Sequence, residues 1–375
     1  MKIVLAPDSF KGNMRSPQVC AELAAGVLAA LPGAEIVSVP MADGGEGTTD
    51  SVAAATGAEL HEVTVHGPLG RPVQAQFALL PDRAAVAEMA AASGIELLSG
   101  DELNPLRTST LGTGELLRAM LDMGARRIVL GIGGSATVDG GAGMAQGLGY
   151  RLLDAAGIDL EPGAAALSGL ATIDASGAHP RLRECAIQVA CDVTNPLLGE
   201  TGAVAVFGPQ KGATPDMLPL LERSLARLGE VWQRQGMVGS TDQPGDGAAG
   251  GLGAGLRAFC GAELVSGARL VADAVGLREA LRGADLVITG EGCSDRSTAF
   301  GKLPAVVAEL AREEGVPAVL VSGGLRGDTT ELEKVFAGVF AICSDAMPLA
   351  AAMERAAGDL QRTARNVARL WSLSR

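Results

Sequence analysis

The chain has 375 residues, enough for two domains, with 47% hydrophobic residues and a formal net charge of −13. No basic tract accompanies that charge, which argues against nucleic-acid partners, and no apolar stretch is long enough to span a membrane. The opening MKIVLAPDSF meets Pro7 and Asp8 after a short apolar run, so it reads as a buried first strand and not as a signal peptide.

In chain order, residues 2–6 are predicted as a strand and 16–31 as an amphipathic helix, with Ser16 as N-cap and Pro17 in its first turn. A second strand over 34–39 ends in an acidic loop, and a helix follows at 48–56. This βαβα opening predicts a parallel sheet. After Gly57 the pattern changes to short strands at 62–65, 73–80 and 84–88, the entry to a second domain. A helix carrying Leu116, Leu117, Met120 and Leu121 precedes a strand at 127–132. A helix is expected over 140–154, an irregular Ala/Gly-rich stretch over 155–182, a strand at 187–190 and a helix at 215–235. The polar run 235–247 is the best linker candidate. Strands at 285–289 and 318–322 flank a helix at 303–314, and a strand at 339–342 and a helix at 348–371 close the chain.

Six scattered cysteines without a CxxC pair, and three histidines without metal-ligand spacing, argue against a disulfide framework or a zinc site. Reduced thiols in a cytoplasmic protein are expected, with Cys293 singled out because it lies inside a glycine motif. No GxSxG elbow points to a serine hydrolase.

The most informative segment is IVLGIGGSATVDGGAGMAQGLG, 128–149. An apolar run enters Gly131, Gly133 and Gly134, then Ser135, Thr137 and Asp139. Strand, glycine loop and helix start present bare N–H groups to an anion, and Asp139 adds a carboxylate for Mg²⁺. The alternative is a turn that packs a helix tightly on a sheet. Similar loops recur at 41–48, 245–253 and 289–292, and predict ligand loops at the carboxyl edge of a parallel sheet.

Candidate residues gather on these loops, each with a plainer alternative. Asp8 and Lys11 follow the first strand as base and phosphate contact, or as a capping turn. Asp43 and Glu46 follow the second, sharing Mg²⁺ or a proton, or as a solvated turn. In 104–110, Arg107 with Thr108, Ser109 and Thr110 suits a small carboxylate or phosphate, or caps a helix. Asp192 is a metal ligand or base, or the acid of an Asx-turn. Lys211 borders glycine, as do Lys11 and Lys302, and lysine is scarce in this chain. Glu291, Asp295 and Lys302 share the segment GEGCSDRSTAFGK, as a phosphate loop or as surface charge.

Taken together, these motifs resemble the bacterial glycerate kinase family: APDSFKG (6–12), ADGGEGT (42–48), GPLG (67–70), ASGIELL (92–98), NPLRTSTLGTGELL (104–117), GIGGSAT (131–137), DGGAGM (139–144), NPLLG and GAVAVFGPQKGAT from 195 onward, GAAGGLGAGL (247–256), TGEG (289–292) and FGK (300–302). The resemblance implies two α/β domains with the ligand cleft between them. One would be Rossmann-like and discontinuous, 1–62 plus 283–375, and the other inserted, 63–282. It implies ATP and Mg²⁺ as cofactors and D-glycerate as acceptor, giving most simply 2-phosphoglycerate. On this expectation Gly133, Gly134, Ser135, Gly290, Gly292 and Lys211 contact the nucleotide, and Asp43, Asp192 and Asp295 hold the metal. Arg107 and Ser109 bind the substrate, while Asp8, Lys11, Asp192 and Lys302 are catalytic. Val138 stands where the family usually has asparagine, Asp246 replaces a small residue, and 293–296 differs from the usual run. A second reading built on those departures is a nucleotide- or organic-acid-binding regulatory protein of the same fold. A third is a metal-dependent phosphatase or mutase that needs no ATP site.

Overall fold

Short aliphatic strands assemble into two separate sheets, and the chain divides into two compact units around them. One consists of Met1–Asp43, Asp50–Gly57 and Ala268–Arg375, the other of Gly44–Thr49 and Ala58–Gly267. The computed structural model describes residues 1–45 and 47–373, so Glu46 of the second acidic loop lies outside the described residues.

The outer unit carries a five-stranded parallel sheet in the order Gly338–Ala341, Ala318–Ser322, Leu286–Thr289, Lys2–Leu5, Glu35–Ser38. Its central strands are almost entirely apolar, as a parallel sheet covered on both faces requires. Helix Ser16–Ala30 buries Val19, Leu23 and Val27, and the long helix Leu349–Leu373 buries Leu360 and Val367 in the same core. Ser16 does not cap its helix. Arg15 takes the N-cap position. The Ser16 hydroxyl instead donates to Pro7 O at 2.7 Å and accepts the Met41 N–H at 2.9 Å, tying together the loops that follow the first two strands.

The middle unit has a six-stranded mixed sheet in the order Glu263–Val265, Ala186–Ala190, Arg127–Gly131, Ala84–Glu88, Pro72–Leu79, Glu59–His66. The first four strands run parallel and the last two form antiparallel hairpin pairs. Helix Leu111–Asp122 covers it with Leu116, Leu117, Met120 and Leu121, and helix Leu218–Arg234 inserts the fully buried Trp232.

Several expectations are corrected. Glu59–His66 pairs throughout its length with Pro72–Leu79 inside the unit that holds Ala58–Gly267. The helix expected over 140–154 is only Ala142–Gly147, ended before the strand Arg151–Leu153. That strand pairs with Thr172–Asp174, so 155–182 is less irregular than composition suggests. Residues 235–247 are no linker: they lie inside the middle unit, where Asp246 is fully buried. The glycine run near 250 is no ligand loop but the kinked start of helix Ala248–Cys260. A Cβ on Gly250 would lie 2.0 Å from Thr137 O, and one on Gly255 2.3 Å from Gly140 O, so these glycines permit close backbone packing.

Candidate active site

In the outer unit the carboxyl ends of three neighbouring strands place Asp8, Lys11, Asp43 and Glu291 together. The Asp8 N–H donates to Gly290 O at 2.8 Å, and the Thr289 hydroxyl donates to Ala6 O at 2.8 Å, so the first and third of these loops are stitched side by side. Asp8 is 7% exposed. Burial, with the charge of Asp43 next, pushes its carboxyl up to about 7; the Ser9 N–H bond and Lys11 pull the other way, and Glu291 adds to the rise. Lys11 by contrast has a side chain 75% exposed and meets Asp43 Oδ2 at 3.3 Å. Its amine is held above the usual range, first by the charge of Asp43 and then by Asp8, against its own desolvation. A half-neutral acid beside an exposed cation is the pairing that proton abstraction and charge neutralisation need.

Glu291 is anchored at Oε1, which accepts the Ser294 hydroxyl at 2.9 Å and the Thr298 hydroxyl at 2.6 Å. The Ser294 hydroxyl also lies 2.6 Å from that of Ser322, at the end of the neighbouring strand. Asp295 is engaged locally through Oδ1. It caps the short turn Arg296–Ala299, accepting the Ser297 N–H and hydroxyl, and those bonds hold its carboxyl below the usual range ahead of Lys302, 3.7 Å away. Lys302 thus faces Asp295. Gly290 is buried, and a Cβ there would lie 1.9 Å from Val321 O, so close strand packing explains it. Gly292 is half-buried, beside the backbone of Phe10 and Lys11.

The middle unit has its own carboxyl edge. Gly131 passes beneath Gly44, whose carbonyl would lie 2.2 Å from a Cβ at 131. Beyond it Gly133 and Gly134 are exposed, and among the described residues no backbone acceptor takes either N–H. Ser135 is buried, joined to Gly94 by a β-bridge. Lys211, expected to touch nucleotide, is 1% exposed; its amine donates to Ser135 Oγ at 2.6 Å and to Thr137 O at 2.8 Å. Burial pushes that amine down to about 7, with Asp139 opposing.

Asp139 is no metal ligand. It is fully buried and accepts N–H groups of Thr110, Gly141 and Gly143 as well as the Thr110 hydroxyl. Thr108 donates to Ala136 O, and Ser109 Oγ accepts the Leu111 N–H, so the three hydroxyls of 108–110 serve the fold and Arg107 alone is exposed. Asp192 is exposed after its strand, with Oδ1 accepting the Gly267 N–H at 3.1 Å. Among the described residues no three acidic, histidine or cysteine side chains cluster tightly enough to hold a metal by themselves.

A five-stranded parallel sheet with Asp8 and Lys11 at its carboxyl edge, and a six-stranded mixed sheet with a glycine loop at its own, have known counterparts. The family described as the glycerate kinase family matches residues 3–372. The chain belongs to the glycerate kinase family. It is 48% identical over 372 residues to the glycerate kinase of Bacillus subtilis (strain 168), covering 98% of this chain and 97% of that protein. It is 45% identical over 371 residues to the glycerate 2-kinase of Escherichia coli (strain K12), with the same coverage. A crystal structure from Salmonella typhimurium LT2, of a protein provisionally assigned as glycerate kinase 2, superposes with a TM-score of 0.91 at 45% identity, covering 100% of this chain and 99% of that one.

The departures from the usual glycerate kinase pattern are absorbed by the fold. Val138 is fully buried in the core of the middle unit. Asp246 accepts Arg257 at 2.5 Å and the Gln243 N–H at 2.8 Å. Cys293 and Ser294 form a two-residue strand beside Gly324 and Leu325. Burial pushes the thiols of Cys20 and Cys260 up to about 12 and that of Cys185 to about 11, far from reactive. Sequence reasoning missed Glu88, which accepts the N–H groups of Gly47 and Thr49 at the start of helix Thr48–Thr56. An acid closing an otherwise apolar strand was the available signal.

Proposed function

We propose that this chain transfers the γ-phosphoryl group of ATP to the 2-hydroxyl of D-glycerate, giving 2-phosphoglycerate, with Asp8 and Lys11 as the reacting pair. The observation that carries the assignment of roles is a buried carboxyl near 7 beside a largely exposed amine at one sheet edge. Phosphoryl transfer demands mainly positioning and charge neutralisation. Asp8 accepts the proton of the attacking hydroxyl, and the exposed Lys11 amine meets the charge of the transferred group. The exposed N–H groups of Gly133 and Gly134 cradle a phosphate, and the exposed Arg107 fork takes the glycerate carboxylate.

Mg²⁺ supplies neutralisation between the phosphates when bound, and it needs only one or two protein carboxylates. Asp43, with a side chain 35% exposed, and the exposed Asp192 have oxygens suited to that hard cation. Asp139 is buried in its own hydrogen-bond network, while Asp295 makes its cap bonds through Oδ1. No helix among the described residues is long and apolar enough to cross a membrane. We read the protein as cytoplasmic: its six cysteines stand outside any disulfide, which suits a reducing compartment.

The test is Mg-ATP with D-glycerate, following ADP release and resolving the isomers by NMR. Glycerate-dependent release of ADP with 2-phosphoglycerate is expected. The 3-isomer would move the attacking hydroxyl, and bound ATP without turnover would return the binding-protein reading.

A further inference from the structure

The most unusual cation of the middle unit is one that no ligand can touch. Lys211 ends the short turn Pro209–Lys211, and the next residue, Gly212, is pinned with φ +90°, where a Cβ would lie 2.4 Å from Leu103 O. The amine is therefore delivered into the interior by a rigid corner. A buried ammonium is costly unless it is hydrogen-bonded. Here its acceptors are Ser135 Oγ and Thr137 O, both on the loop whose outer residues Gly133 and Gly134 are exposed.

A serine hydroxyl has one proton and two lone pairs. Lys211 occupies a lone pair of Ser135 at 2.6 Å, so the hydroxyl proton must be donated elsewhere. Among the described residues no group accepts that proton, just as no backbone group accepts the Gly133 and Gly134 N–H groups. We propose that Lys211 is a positioning residue acting through Ser135, fixing and polarising its hydroxyl as a third donor to the oxyanion cradled by Gly133 and Gly134. This rests on reading that loop as an anion cradle. The oxyanion is a nucleotide phosphate or the carboxylate of the acceptor acid, which share this chemistry.

The full-length enzyme tests it with Ser135→Ala, Lys211→Met and the double variant, measured with Mg-ATP and D-glycerate. Each single substitution is expected to lower kcat/KM about tenfold, and the double variant no more than about tenfold in total, because the lysine acts only through the serine. A rise confined to the KM of ATP assigns the loop to phosphate; one confined to the KM of glycerate assigns it to the carboxylate. Lys211→Arg, which keeps the charge and a donor, is expected to recover part of the loss. If Ser135→Ala is silent, the hydroxyl gives nothing to the anion and this proposal falls, while a KM effect of Gly133→Ala would leave the cradle reading standing. If Ser135→Ala is impaired while Lys211→Met is normal, or if the two losses multiply, the cradle stands and the lysine's role is overturned. Should Lys211→Met not fold, Lys211→Gln replaces it in the cycle. Failure of every Lys211 variant to fold marks the lysine as purely structural and overturns the proposal.

Discussion

Thr110 and Asp139 lock two segments of the middle unit together: the Thr110 hydroxyl donates to Asp139 Oδ2 at 2.9 Å, and its backbone N–H donates to the same oxygen at 2.8 Å. The same hydroxyl accepts the Met144 N–H at 2.9 Å, so one side chain joins the start of helix Leu111–Asp122 to that of Ala142–Gly147. Thr110→Val keeps the shape, strands the buried Met144 N–H and removes the hydroxyl bond to Asp139. The expected cost is about 1–3 kcal/mol. A thermal melt of the variant checks this, and an unchanged midpoint would mean that the network contributes nothing net.

Asp8→Asn removes the proton acceptor while keeping the side-chain volume. A fall in kcat of roughly 10²–10⁴ is expected. The wild-type rate should rise with pH through about 7, as the Asp8 carboxylate forms, and the variant should lose that limb. Stability moves the opposite way. The folded carboxyl lies above its unfolded value of 3.8, so the fold favours the neutral form, and stability from this group declines as pH rises from about 4 to about 7. Melts at pH 4 and pH 8 should show Asp8→Asn gaining on wild type only at pH 8.

Lys11→Ala separates chemistry from folding. The pair with Asp43 is largely exposed, so its loss should cost stability only about 0–1 kcal/mol. Loss of a cation aimed at the transferred group should lower kcat/KM by roughly 10²–10³. A variant with normal turnover would leave the charge of the transferred group to be met elsewhere.

Two glycines should respond differently to alanine. At Gly290 the new methyl would lie 1.9 Å from Val321 O, and an overpacked strand crossing costs about 1–3 kcal/mol or more. At Gly133 the nearest atom to a Cβ is Gly45 Cα at 3.3 Å, a contact that a small shift relieves. Gly133→Ala should therefore melt near wild type and show its effect in substrate KM. Melting and kinetics of both variants decide whether each glycine serves packing or ligand approach.

The strands and long helices were legible because their apolar periods are clean: helix 48–56 and strands 84–88 and 318–322 stand where the pattern puts them. Glycine was the ambiguous letter. At Gly133 it leaves an exposed N–H, while at Gly250 and Gly255 it admits another backbone, and composition does not distinguish these uses. Carboxylates were ambiguous for a similar reason. Asp8 follows the first strand, and Asp139 and Asp295 follow glycine segments, yet the first is buried among like charges while the other two cap backbone. Lys211 was picked out by its scarcity, but its depth depends on the corner at Gly212 and has no local signature.

The strand order of the outer sheet sets a timetable for synthesis. Lys2–Leu5 pairs with Glu35–Ser38 on one side and with Leu286–Thr289 on the other. The first strand to leave the ribosome therefore waits, half-paired, until the whole stretch that forms the six-stranded sheet has been made. That stretch can fold as a unit in the meantime, whereas the apolar edge at Ile3 and Leu5 stays uncovered through most of translation. A slow-codon stall or truncation before residue 286 would leave a nascent chain with a finished middle and an adhesive N-terminal hairpin-less pair of strands, the form of this protein most in need of a chaperone.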